Sequence, residues 1–304
     1  MDIFSIIKDI FVNIFAGFIT SSATNPKNPN IIINCPHKHD QNKKEKSSTT
    51  NNETNKLSAR FQKVLHLMNE GQRENYFNIP KLSKILGLKK ISDLEKYFQG
   101  EQDPTFEFME NFSNQFGINP KWLQFGDGQA FESQAPWYND AMDYLDHILN
   151  NNPEAIYFVQ SKNTERQSFL LLKISEHKYE VLPKYWHISS CVGAGGSWQI
   201  YRFYQFVQNI RKTKYSTKCW GIVLGKDDFW KLMQGEVFPA AILDNNRTSN
   251  FWWDDFTDLH YKIRSRKAYQ EDYGTEFTSA QGIALYILTE EDKKSHNKAF
   301  HSEK

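Results

Sequence analysis

The sequence predicts an α+β protein, in which a bundle of five short helices (residues 57–132) precedes a mixed domain with a small sheet (residues 137–290). Three observations lead there. From Leu57 to Phe125, apolar residues recur at three- and four-residue spacing, in short blocks separated by glycine and proline. After Trp137, brief runs rich in β-branched and aromatic residues alternate with amphipathic stretches. The length of 304 residues suits two domains, at roughly 150 residues each.

In the first domain, Phe61, Val64, Leu65 and Met68 line one face of a helix from Leu57 to Glu70, closed by Gly71. Pro80 stands in the first turn of a second helix, where its missing N–H costs nothing, and Gly87 ends it after Leu82, Ile85 and Leu86. A third helix runs from Ile91 to Phe98 and stops at Gly100. A fourth follows Pro104, from Phe106 to Phe116, and ends at Gly117. Pro120 to Leu123 makes a last turn before Gly126 and Gly128.

In the second domain, a helix is expected from Tyr138 to Leu149. Strands are expected at 155–160, 169–174 and 178–182, the first two forming a hairpin across the polar stretch 161–167. Ser197 to Lys212 reads as an amphipathic helix with Ile200, Phe203, Tyr204, Val207 and Ile210 inward. A strand at 220–224, a helix at 227–233, and strands at 240–243 and 282–288 complete it, before a charged tail at 291–304.

Ahead of both domains, residues 1–22 place Ile3, Ile6, Ile7, Ile10, Phe11, Ile14 and Phe18 on one helical stripe. The start is acidic and Lys8 and Asp9 interrupt the run, unlike a secretory signal. Three readings stay open: a helix lying in a membrane interface, a self-association helix, and a single span. Residues 23–56 are rich in Asn, Ser, Thr and Lys and read as a flexible polar tether, with too little apolar surface to offset ordering. Within it, Cys35, His37 and His39 either ligate a metal or are plain linker residues. No metal or cofactor is expected, because ligands on a tether are poorly preorganised and no fourth partner is evident.

Net charge is +1, and residues 57–132 carry nine Lys or Arg against ten Asp or Glu. Such a balance excludes a strongly basic binder that holds phosphate by charge alone. Three widely spaced cysteines, with no closely spaced pair, argue against a disulfide framework and for a reducing cytoplasm.

Residues 78–128 resemble the helix-turn-helix of lambda-type repressors and Cro, the XRE family. The likeness is carried by Ile79, Leu82, Ile85, Gly87 and Leu88 in the first helix and its turn, then by Ile91, Leu94 and Phe98 in the recognition helix. It continues through Gly100 and Pro104, and is most specific at Phe116 to Leu123 with Phe125, Gly126, Asp127 and Gly128. With the whole bundle, residues 57–132, it covers roughly a quarter of the chain. The resemblance implies a five-helix lambda-repressor-like fold and a double-stranded DNA operator as partner. By position, Lys89, Lys90, Ser92, Asp93 and Lys96 would face bases or backbone, and Asn78, Lys81 and Lys84 would meet phosphate. Asp93 and Glu95 depart from the family's usual neutral or basic residues, since each repels phosphate.

Elsewhere the signals are weaker. Ser189 and Ser190 have no following lysine-bearing strand of the kind a self-cleaving repressor uses. Gly193 to Gly196 reads as a turn or as an anion cradle at a helix start. Asp254, Asp255, Asp258 and His260 beside Trp252 and Trp253 read as a nuclease-like acid group or as an aromatic cluster with solvated acids. Trp198, Tyr201, Arg202, Tyr204 and Arg211 serve base stacking or the core.

The reading is a non-enzymatic, cytoplasmic DNA-binding regulator whose C-terminal domain dimerises or senses a signal. Palindromic operators pair with two-fold symmetric proteins, so a homo-oligomer is expected. The alternative is a phage-defence or toxin–antitoxin component, held at the inner membrane face through residues 1–22, whose helix-turn-helix binds a partner protein or nucleic acid.

Overall fold

Capping chemistry sets the limits of the first helices. The computed structural model describes residues 48–71, 76–163 and 165–302. The expectations for residues 1–22, for the tether up to residue 47 and for Cys35, His37 and His39 lie outside them. Five helices fill the first part: α1 (Ser48–Asn69), α2 (Ile79–Ile85), α3 (Ile91–Gln99), α4 (Phe106–Phe116) and α5 (Pro120–Phe125). The Asn78, Thr105 and Asn119 side chains accept N–H bonds at the starts of α2, α4 and α5.

The tether reading fails for residues 48–56, which are the opening of α1. Their polarity hid a helix anchored from outside. Thr54 Oγ1 donates to Asp103 Oδ1 at 2.6 Å, and Lys56 pairs with Glu53 one turn back at 2.7 Å. Further along α1, Gln62 donates to the Phe98 carbonyl at 2.7 Å. Arg60 donates to the carbonyls of Leu123 and Gln124 at 2.7 and 2.8 Å. One helix thereby satisfies carbonyls at the ends of α3 and α5 that would otherwise lack partners. Behind these bonds, Phe61, Val64, Leu82, Leu94, Phe112 and Phe116 form a buried core, with Phe61 and Phe112 edge to face at 5.0 Å.

The second part is a mixed helix-and-sheet layer structure. After α6 (Asp143–Asn151) come β1 (Ala155–Ser161), β2 (Gln167–Ser175), β3 (Lys178–His187), α7 (Ala194–Ile210), β4 (Cys219–Leu224), α8 (Lys226–Gln234), α9 (Pro239–Asn245), α10 (Trp252–Asp255), α11 (Arg266–Tyr273) and α12 (Thr275–Ser302). The strand order is β3-β2-β1-β4. β1 to β3 run as an antiparallel meander and β4 lies parallel to β1, with Phe158 opposite Leu170 and Gly221. Residues alternate between two covered faces. Ile156, Phe158, Leu170, Leu172, Leu182 and Trp186 join a core with Phe203 and Val207 of α7, Trp252 of α10 and Phe277 of α12. On the other face, Val159, Phe169, Leu171, Val181 and Ile222 meet Phe229 and Leu232 of α8.

Four sequence expectations change here. Residues 240–243 are helical, within α9, whose Pro239 sits in the first turn. Residues 282–288 lie inside α12, where Phe277, Ala280 and Ala284 supply a helical buried stripe, and that helix continues to Ser302 through the expected tail. α6 starts at Asp143 rather than Tyr138. α7 starts at Ala194, three residues before Ser197. No helix among the described residues is long and apolar enough to cross a membrane.

The two parts meet through shared packing, and residues 47–304 form one compact unit. Phe238, just before α9, is buried in the helical core against Phe131 (5.2 Å) and Phe77 (6.1 Å). Gln115 of α4 lies 3.2 Å from His177, in the turn between β2 and β3.

Candidate nucleic-acid interface

The candidate surface is built on α2, α3 and the five residues between them. α2 ends at Ile85, and Gly87 then takes φ +68°, a left-handed conformation that side-chain-bearing residues resist. This reversal lets Leu82 of α2 and Leu94 and Phe98 of α3 enter one core, which holds the pair rigidly from behind. On the outer side, Lys84, Lys89, Lys90, Ser92, Asp93 and Lys96 are all exposed. Among the described residues, none of these four lysines is ion-paired to a carboxylate. Their donors are free for an external anion.

The structure gives three of the expected contact residues additional duties. Asn78 Oδ1 accepts the Lys81 N–H at 2.9 Å, so the side chain caps α2. The Lys81 ammonium lies 4.5 Å from the centre of the Phe77 ring, a cation–π position. Asp93 occupies the first turn of α3, where a carboxylate favours the positive end of the helix. A carboxylate at this position thus has a local physical reason. Ile91, at 49% exposure, adds an apolar spot beside Ser92.

The other sequence candidates are put to structural use. Asp258 is buried and accepts the N–H groups of Lys262, Ile263 and Arg264 and the Tyr269 hydroxyl. Burial opposes its charge, but those four donors outweigh it and hold the carboxyl below the usual range. Asp255 accepts from the Tyr273 hydroxyl at 2.7 Å, while burial raises its pKa. Trp252 and Trp253 are buried, with Phe158 stacked on Trp253 at 4.6 Å. The aromatic cluster is present, but its acids are not solvated as expected: Asp258 is buried and Asp254 and Asp255 half-buried, with Asp255 and Asp258 held by local donors, while His260 is exposed. No group of three or more His, Cys, Asp or Glu poised for a metal occurs among the described residues.

Arg211 pairs with Asp254 at 3.2 Å, and Arg202 with Asp140 at 3.0 Å. Tyr201 is buried while Trp198 is exposed. Near the start of α7, Ser190 donates to Glu276 and the exposed Cys191 thiol lies 3.7 Å from the same carboxylate. Slight burial and the Glu276 charge both push that thiol up, away from reactivity. Sequence reasoning missed Arg60 and Lys184. Arg60 carries no local pattern that marks a long-range cap, whereas Lys184 interrupts an apolar strand and could have been noticed. Against known protein families, curated proteins and solved structures, the chain finds no match.

Proposed function

We propose that the chain is a DNA-binding transcriptional regulator of the phage-repressor type. α2, the Gly87 turn and α3 act as the helix-turn-helix, and the sheet-bearing part dimerises the protein or senses a signal. The observation that carries this reading is the exposed set Lys89, Lys90 and Ser92 at the start of α3 and Lys96 in its last turn, the lysines free of ion pairs among the described residues and the helix backed by a rigid core. A helix offered this way fits the width of a B-DNA major groove, with its first residues toward the base edges. The near-neutral charge of residues 57–132 implies weak non-specific affinity, so base contacts must supply much of the preference for an operator. Two copies would place two such helices about one helical turn of DNA apart.

The test is selection from a random double-stranded DNA library with the full chain, followed by footprinting of the enriched sequences. Enrichment of a two-fold symmetric site protected in the major groove is expected. No enrichment over several rounds at about 50 mM salt, where phosphate contacts are strongest, would refute the reading. A second reading draws on Ile91 and the exposed acids Asp93 and Glu95, which suit a protein partner better than phosphate. Under that reading the same library yields nothing, and Ile91→Glu abolishes capture of the partner.

A further inference from the structure

Strand β3 places a lysine where a core residue belongs. Leu182, Lys184 and Trp186 alternate on the face of the sheet that turns toward α7, and Leu182 and Trp186 are fully buried there. Lys184 between them is only 3% exposed. Lysine is almost never so buried unless paired with a carboxylate, because removing an ammonium from water costs several kcal/mol per ion, order of magnitude. Lys184 has no such pair among the described residues. Its ammonium donates to the Asn139 carbonyl, which leaves two of its three N–H donors without a described partner. The indole N–H of Trp186 is also buried with no partner. Two unmet donors, one charged, therefore sit side by side on one strand.

Both residues line a cleft of about 400 Å³, inside the range of small-molecule sites. Its opposite wall is α7, which contributes Trp198, at 44% exposure, and Arg202. The Arg202 guanidinium is engaged by Asp140 Oδ2 at 3.0 Å and Gln205 Oε1 at 2.7 Å. Arg202 engages Asp140 directly, whereas Lys184 feels the Coulombic pull of Asp140 and Asp143 but has neither carboxylate within ion-pair distance among the described residues. An anion entering this cleft would meet an ammonium that is itself buried, where the attraction exceeds that at a surface lysine. The exposed indole of Trp198 offers a flat apolar face at the mouth.

We propose that this cleft binds a small aromatic anion, with a carboxylate or phosphate on Lys184 and a flat ring against Trp198. Asn139, Asp140 and Arg202 complete the walls. The inference stands apart from the DNA reading, since neither its residues nor its test involve α2 or α3.

The experiment is calorimetric titration of the full chain at neutral pH with four anions and their uncharged counterparts. These are benzoate and benzamide, indole-3-acetate and indole-3-acetamide, phenyl phosphate and phenol, and AMP and adenosine. Inorganic phosphate separates a requirement for charge alone from one for charge with a ring. At least one ring-bearing anion is expected to bind about tenfold or more tightly than its neutral counterpart, the effect of one charge-assisted hydrogen bond. Lys184→Met should lose that preference while Lys184→Arg keeps part of it. Trp198→Ala, at an exposed position that leaves the core intact, should weaken the anion and its neutral counterpart alike. Absence of binding by all four anions at millimolar concentration overturns the proposal. So does equal binding to a folded Lys184→Met chain. If Lys184→Met fails to fold, undiminished binding to Trp198→Ala decides against it in the same way.

Discussion

The backbone N–H of Phe131 donates to the carbonyl of Gly235 at 2.9 Å, joining the end of the helical bundle to the end of α8. Gly235 has φ +76°, and a Cβ placed on it would lie 2.1 Å from the Glu132 nitrogen and 2.2 Å from the Phe131 carbonyl carbon. Nothing there can yield, since both atoms are backbone. Gly235→Ala is expected to cost about 2–4 kcal/mol, from left-handed strain together with the clash. Urea unfolding should show a lower midpoint at an unchanged slope, and a parental midpoint would show that the joint tolerates a side chain.

Lys90→Ala combined with Lys96→Ala removes two of the free cations beside the start of α3 and in its last turn. For the operator selected above, log Kobs against log salt should flatten by about 2 units of slope, close to one released counterion per lost phosphate contact. Gel-shift titrations between about 50 and 200 mM salt measure this. An unchanged slope with unchanged affinity removes α3 from the DNA contact.

His177 makes the joint between α4 and the sheet sensitive to acid. Burial holds its imidazole below the ordinary histidine value, Glu176 and Glu154 pull it upward, and Lys81 and Lys178 push it down. A base whose folded-state pKa is lowered binds fewer protons when native than when unfolded. Its contribution is full above the unfolded value, about 6.5, and is lost as pH falls from there toward the lowered native value. His177→Gln keeps a polar side chain near Gln115 but cannot titrate. Between pH 7.5 and 5 its unfolding free energy should fall less than the parent's, and identical falls would assign the acid sensitivity elsewhere.

Burial beside Asp254 pushes the Cys219 thiol up to about 12. At pH 8 its thiolate fraction is on the order of 10⁻⁴, so alkylation should require unfolding. Cys191 is exposed and should label with iodoacetamide at least about a hundredfold faster, since access and thiolate fraction both favour it. Peptide mass spectrometry on the native chain measures the two rates. Comparable rates would mean that β4 opens readily.

The helical limits from Ile79 to Phe125 were legible because glycine, proline and Asn caps act locally. Gly100, Gly117 and Gly126 all stand at helix ends in left-handed conformations, as the spacing implied. What failed was short apolar runs. Ala240 to Leu243 and Gly282 to Leu288 look like strands in the sequence because a short apolar run does not separate strand from helix, and both are helical. The start of α1 was illegible for the opposite reason: Ser48 to Asn55 lack an apolar stripe, and the partner, Asp103, lies 49 residues from Thr54. The candidate surface at Lys89, Lys90, Ser92 and Lys96 was legible as residues. That Asn78 is also a cap and Lys81 also a ring partner needed coordinates. The Lys184 cleft combines residues from three separated stretches, 139–141, 184–186 and 198–202, and no local pattern reports such a meeting.

Because Phe238 belongs to the core of the first five helices, the order in which the chain is made has a consequence for its folding. Phe77 and Phe131 emerge from the ribosome well before the residue that covers them. At elongation rates of about 5–20 residues per second, the interval between residues 131 and 238 lasts about 5–20 s. Throughout that time the nascent helices carry an open apolar seam, although every one of their own residues is already present. A termination just after residue 132 makes the seam permanent, leaving a fragment that is complete by element and unfinished by packing.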